Sequence, residues 1–160
     1  MKLRIDNKTF FKSFVLILVV CLAVSAIYII HCLRSFYSFD SLLEQESPAK
    51  IVHCSLDICS SEDEVTVSID VTSDLFERVL QALQSEQYMK PLASILGATV
   101  SAYHIEEYPF YRILLQHEDH HRTEVVVNGS YLLIGSTTES GLTIYQAADN
   151  SLLRELNSLF

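Results

Sequence analysis

Five consecutive residues, His117-Glu118-Asp119-His120-His121, place three imidazoles and two carboxylates on one short stretch of chain. Neutral imidazole nitrogens and ionised carboxylate oxygens are the donors that hold Zn²⁺, Cu²⁺ or Ni²⁺. His53 and His104 would bring further imidazoles from adjacent strands. A metal site needs side chains that converge on one point, whereas neighbours along a tight turn usually diverge. Two readings of the cluster therefore stand side by side: a divalent-metal site with Zn, Cu or Ni as its ion, and a solvated polar turn. The H-E-x-x-H pattern, which sets two histidines on one helix face beside a general base, does not occur.

Cys54 and Cys59 are the cysteines outside the apolar N-terminal run that holds Cys21 and Cys32. In an oxidising compartment a disulfide between them is the expected arrangement. It would close a loop of six residues, for which the chain-entropy account gives about 2 kcal/mol before strain. Such a bond would pin the turn between the first two strands. The alternatives are buried free thiols and redox chemistry. The second fits poorly, because the spacing is C-x4-C and no helix N-terminus follows to lower a thiol pKa.

Other catalytic signatures are missing: the sequence has no G-x-S-x-G and no glycine-rich phosphate loop. The chain is not expected to be an enzyme. Tyr103, Tyr108, Phe110 and Tyr111 would make a platform for a carbohydrate or peptide, but aromatics in strands usually pack against cross-strand partners, and core is the expectation. Asn128-Gly129-Ser130 has the form of a glycosylation sequon, and the same residues read as a turn.

The elements that position these residues follow from hydrophobic patterning. From Ser13 to Leu33 there is no Asp, Glu, Lys or Arg. Residues 14–33 as a helix, at roughly 1.5 Å per residue, span about 30 Å, the thickness of a hydrocarbon core. Lys2, Arg4, Lys8 and Lys12 precede the run against the single acid Asp6, whereas residues 34–160 carry 7 bases and 19 acids. Basic flanks stay in the cytoplasm. The sequence thus predicts a cytoplasmic tail over 1–12, a transmembrane signal-anchor helix over 13–33, a juxtamembrane linker over 34–49 and an extracytoplasmic domain over 50–160. The competing reading is a signal peptide cleaved after Ala26, with Val24-Ser25-Ala26 as the small-residue site and a secreted product. Against it, the apolar run continues through Ile27-Tyr28-Ile29-Ile30 instead of turning polar.

Within the domain, Ile51–Leu56 reads as a strand, and the alternation of Val65, Val67, Ile69 and Val71 predicts a half-buried one. Thr72-Ser73-Asp74 offers helix-capping side chains, followed by the stripe Leu75, Phe76, Val79, Leu80 and Leu83 in a helix expected to reach Tyr88. Strands are expected over 99–106, 110–117, 122–127, 130–134 and 142–145, with a bend at Glu107-Tyr108-Pro109 and a type I′ turn at Asn128-Gly129. Asp149 or Asn150 would cap a last helix with the stripe Leu152, Leu153, Leu156 and Leu159. The order β-β-α-β-β-β-β-β-α describes an α+β domain, with a mainly antiparallel sheet covered on one face by two helices.

The strongly acidic domain repels phosphate backbones, which argues against nucleic acid as a partner. The expected function is a non-enzymatic, membrane-tethered module that binds a protein or peptide. The alternative is divalent-metal binding or sensing by the His117–His121 cluster. A third reading puts the function in the transmembrane helix, where Ala23, Ser25 and Ala26 would let another helix approach closely.

Overall fold

The computed structural model describes residues 7–95, 109–136, 141–149 and 151–160. The expected strand over 99–106, with Tyr103 and His104, lies outside the described residues, as do Tyr108 and Asn150. Helix α1 (Asn7–Arg34) opens the chain. Its segment Phe11–Arg34, 24 residues of mean hydropathy 2.9, is long and apolar enough to cross a membrane. Within that segment only Ile29 and Cys32 are partly covered; α1 meets the rest of the chain at β4 and α4.

One residue, Ser35, separates α1 from β1 (Phe36–Ser38), which runs directly into α2 (Phe39–Glu46). There follow β2 (Ile51–Cys59), β3 (Glu64–Ile69), α3 (Asp74–Gln84), β4 (Gln87–Met89) and α4 (Leu92–Ile95). The chain ends with β5 (Phe110–His117), β6 (Arg122–Asn128), β7 (Tyr131–Ser136), β8 (Thr143–Ala147) and α5 (Ser151–Asn157). All eight strands form one antiparallel sheet in the order β1-β4-β8-β7-β6-β5-β2-β3. The α+β class and the helix-covered sheet agree with the sequence reading. The element order gains β1, α2, β4 and α4.

Period-two burial explains the layering. On β5, Tyr111, Ile113 and Leu115 are buried while the residues between them are only partly so. These side chains join Cys54 and Leu56 of β2, Val125 and Val127 of β6, and Leu132 and Ile134 of β7 in one core. Phe39 and Leu42 of α2, Phe76, Val79 and Leu83 of α3, and Leu152 and Leu156 of α5 cover that face. Three helices rather than two therefore form the layer. The opposite face carries a smaller apolar cluster of Val126, Leu133 and Ile144.

Residues 34–49, expected as a linker, contribute instead to the fold. Phe39 is 0% and Leu42 1% exposed, and β1 forms the sheet edge beside β4. The Ser38 hydroxyl caps α2 by accepting the N–H of Ser41, which lets the chain turn from strand to helix without a spacer. At α3 the cap falls to Ser73, whose hydroxyl accepts the N–H of Phe76. That helix stops at Gln84, short of the expected Tyr88, because Tyr88 is drawn into β4, fully buried, with its phenol donating to the Leu83 carbonyl at 2.7 Å.

The β6–β7 hairpin forms where expected, with its turn shifted by one residue. Asn128 pairs with Tyr131, leaving Gly129-Ser130 as the central residues. Gly129 has φ 56° and Ser130 does not share a positive φ. A positive φ at the first central position alone is the pattern of a type II′ turn, not of the expected I′.

Leu42→Ala is expected to cost about 2–5 kcal/mol, because it empties a fully buried site that cannot collapse completely. Urea unfolding of the full chain in detergent micelles measures this. A change under about 0.5 kcal/mol, the usual surface value, would restore the linker reading.

Candidate functional site

The histidine turn joins β5 to β6 through residues 118–120. His120 N–H donates to the His117 carbonyl at 3.0 Å and His117 N–H to the His121 carbonyl at 2.9 Å. His120 sits at φ 66°, the left-handed position that closes a three-residue hairpin loop. This backbone geometry sends the side chains in different directions.

His117 points to the helix-covered face and is 0% exposed. Its Nδ1 lies 2.8 Å from the Ala49 carbonyl and its Nε2 3.0 Å from the Thr123 hydroxyl. A carbonyl only accepts, so Nδ1 carries a proton, while the Thr123 hydroxyl is a partner for Nε2 in either direction. Both nitrogens are thereby engaged. The Glu118 N–H donates to the Lys50 carbonyl at 2.9 Å, which stitches the turn to the segment leading from α2 to β2.

Asp119 is committed to the same junction. Its carboxylate accepts the His121 N–H at 3.0 Å and the Ser47 hydroxyl at 3.3 Å. The His121 N–H chiefly holds this carboxyl below the usual carboxylate range, with help from Ser47 and the nearby imidazoles. The His121 ring lies 6.0 Å from that of His117, and its Nε2 is buried without a hydrogen-bond partner. Glu118 and His120 are exposed. His53 pairs in register with Gln116, one residue off His117, and is exposed on the other side of the sheet. His104 lies outside the described residues. Among the described residues, no group of three His, Cys, Asp or Glu side chains converges as metal ligands.

The cysteine pair corrects an expectation. Cys54 and Cys59 lie on one continuous strand, β2, and both thiols are free. Five steps along a strand, at about 3.3 Å each, separate them by about 16 Å, far beyond the 4.4–6.8 Å Cα spacing of a disulfide. An odd separation also turns them to opposite faces. Burial pushes the Cys54 thiol up to about 11. The Cys59 thiol is raised by burial first and then by the Glu64 carboxylate. Protonated, buried thiols are poor nucleophiles at neutral pH.

The aromatic platform also divides. Tyr111 is buried under the helices, its phenol donating to Asn157 Oδ1 at 2.6 Å. Phe110 packs with the smaller cluster on the other face. The sequon residue Asn128 is buried at the end of β6, closed to a glycan in the folded chain.

Strand register assembles a site that sequence reasoning missed. Asp57 of β2 sits opposite Thr66 of β3 and Arg112 of β5. The Arg112 guanidinium lies 3.3 Å from Glu124, 3.7 Å from Glu64 and 3.8 Å from Asp57. The Thr66 hydroxyl donates to the other Asp57 oxygen at 2.8 Å. One cation thus answers three carboxylates, leaving an excess of two negative charges on the outer sheet face. A depression of about 290 Å³ opens beside it, lined in part by Cys59, Glu62, Glu64, Phe110 and Arg112. The available signal was a charged residue in each of four strands, Asp57, Glu64, Arg112 and Glu124.

The quartet borders the end of the sheet. β3 is the outermost strand, and among the described residues its only sheet neighbour is β2. Glu64, Val65, Thr66 and Ser68 are exposed. In an antiparallel pair every second residue turns both N–H and C=O away from its neighbour, so β3 turns a row of backbone groups about 20 Å long towards a side that no other described strand occupies. Edge strands are commonly protected by proline, lysine, a bulge or very short length. β3 has six residues, neither Pro nor Lys, and an unbroken register with β2. The other edge, β1, has three residues.

His117→Ala should cost about 2–4 kcal/mol by leaving the Ala49 and Thr123 groups unpaired around a cavity. His120→Gly should instead be neutral or stabilising by about 1 kcal/mol, because glycine adopts positive φ freely. Urea midpoints of the two variants check this contrast, and equal effects would refute it. No protein family, curated protein or solved structure matches this chain.

Proposed function

We propose that this chain is a non-enzymatic, membrane-tethered module whose extracytoplasmic domain binds an extended protein or peptide segment along β3. The observation that carries the reading is the edge position of β3: six residues of strand with β2 as the only sheet neighbour among the described residues. A peptide laid along such an edge completes the ladder, gains main-chain hydrogen bonds and seats alternate side chains on the two faces.

The tether reading rests on α1. Its apolar segment is long enough to cross a bilayer and runs unbroken past Ala26, the alternative cleavage point. Four bases before the charge-free run that begins at Ser13 and the acidic excess after it favour a cytoplasmic N-terminus and an outer domain. With only Ser35 between α1 and β1, the domain would stand close to the membrane surface, with β1 as its near edge. Across seven strand spacings of about 4.8 Å, β3 lies about 34 Å from β1.

Two measurements test the proposal. The mature chain should pellet with membranes after alkaline extraction and run at full length; loss of the first 26 residues and release into the soluble fraction would defeat the tether. A photo-crosslinking residue at Thr66 or Ser68, in intact membranes, should give an adduct of higher mass, while the same residue at Glu44 on α2 gives none. Equal adducts from all three sites, or none from β3, would defeat the docking edge.

A further inference from the structure

From the chemistry that surrounds the edge, we infer that the segment captured on β3 is cationic, with basic and apolar side chains in alternation. This inference rests on the strand-addition reading and specifies its partner.

The two faces of β3 differ in kind. Glu64, Thr66 and Ser68 lie on the outer face, in line with Asp57 and Arg112. Val65, Val67 and Ile69 lie on the helix-covered face, where Val65 is 53% exposed. Phe160 is also exposed on that side and stacks at 6.1 Å on Tyr111, which shares a register line with Ile58 and Val65. An added strand would therefore set every second side chain along Glu64, Thr66 and Ser68 and the intervening ones along Val65, Val67 and Ile69.

Charge decides between occupants. The hairpin entering β3 carries Glu62, Asp63 and Glu64, and Asp70 and Asp74 follow the strand. Arg112 offsets one of the three carboxylates around it and no more. A second copy of this chain fits poorly: two β3 strands paired about a two-fold axis bring the acidic run of one copy against Asp70 and Asp74 of the other. Like charges opposed across strands destabilise the pairing. An acidic segment meets the same repulsion, whereas lysine or arginine side chains gain partners at Glu62 and Glu64.

The test uses the full chain in phosphatidylcholine nanodiscs, whose lipid carries no net charge. Fluorescein-labelled dodecapeptides of alternating Lys and Val, Gln and Val, or Glu and Val are titrated, with amide hydrogen exchange read at β3. The Lys–Val peptide should bind at least tenfold tighter than Gln–Val and slow exchange at alternate residues of β3, while Glu–Val does neither. The exposed-site variant Glu62→Gln/Glu64→Gln should weaken Lys–Val about tenfold and leave Gln–Val unchanged. Lys–Val and Gln–Val binding equally, with β3 protected by both, would overturn the charge inference while the docking edge survives. Protection at β3 by none of the peptides would overturn both. Lys–Val binding that ignores the double variant, or protects amides elsewhere, overturns the acidic site on β3.

Discussion

The helix-covered face of an eight-stranded sheet must be kept from water, and meeting that requirement organises the rest of the molecule. Core side chains from six or more strands line this face, and burial stabilises by about 25 cal/mol per Å² of apolar surface removed from water. α3 and α5 supply part of the cover. Phe39 and Leu42 of α2 supply more, which is why the fold reaches back almost to the end of α1. A long flexible tether is thereby excluded: the chain leaves α1, spends one residue at Ser35, and is already in the sheet.

The same constraint separates the two sheet edges. β1 is short and directly continuous with α1, and β4, its partner, also abuts that helix. Among the described residues β3 terminates the other side and returns at once into α3 through the Ser73 cap, so one of its faces is roofed while no described strand pairs with its lateral edge. An open edge with alternating β-branched residues is an aggregation hazard unless charge or a partner occupies it. The acidic residues around β3 disfavour self-pairing, and under the proposed strand-addition reading the same charges favour a basic segment.

Polar residues inside the fold act mainly as joints. His117 ties the β5–β6 hairpin to Ala49 and Thr123, and Asp119 ties it to Ser47. These bonds fix the crossover from α2 to β2, and so indirectly hold the α2 layer over the sheet. Residues that as a string resemble a ligand set are thus divided between a buried strut and an exposed loop tip. A buried imidazole with both nitrogens hydrogen-bonded avoids much of the desolvation cost that an unpaired one would carry.

The sequence by itself determined the apolar helix, the α+β class, the alternating strands and the site of the β6–β7 hairpin, because each is written in local periodicity. Val65, Val67 and Ile69 announce a strand whatever surrounds them. Glu64, Asp57, Arg112 and Glu124 announce nothing until register sets them side by side, since they are spread over more than sixty positions. The cysteines were misread for a similar reason. Proximity in sequence suggested a bond, but β2 continued past Leu56 to Cys59 and carried the two thiols to opposite faces. Phe39 and Leu42 fell within the expected juxtamembrane linker because nothing local distinguishes a core anchor from a linker residue. Only the tertiary structure decided these points, because strand order and side-chain convergence depend on contacts between distant segments. It also decided which strand was left at the edge.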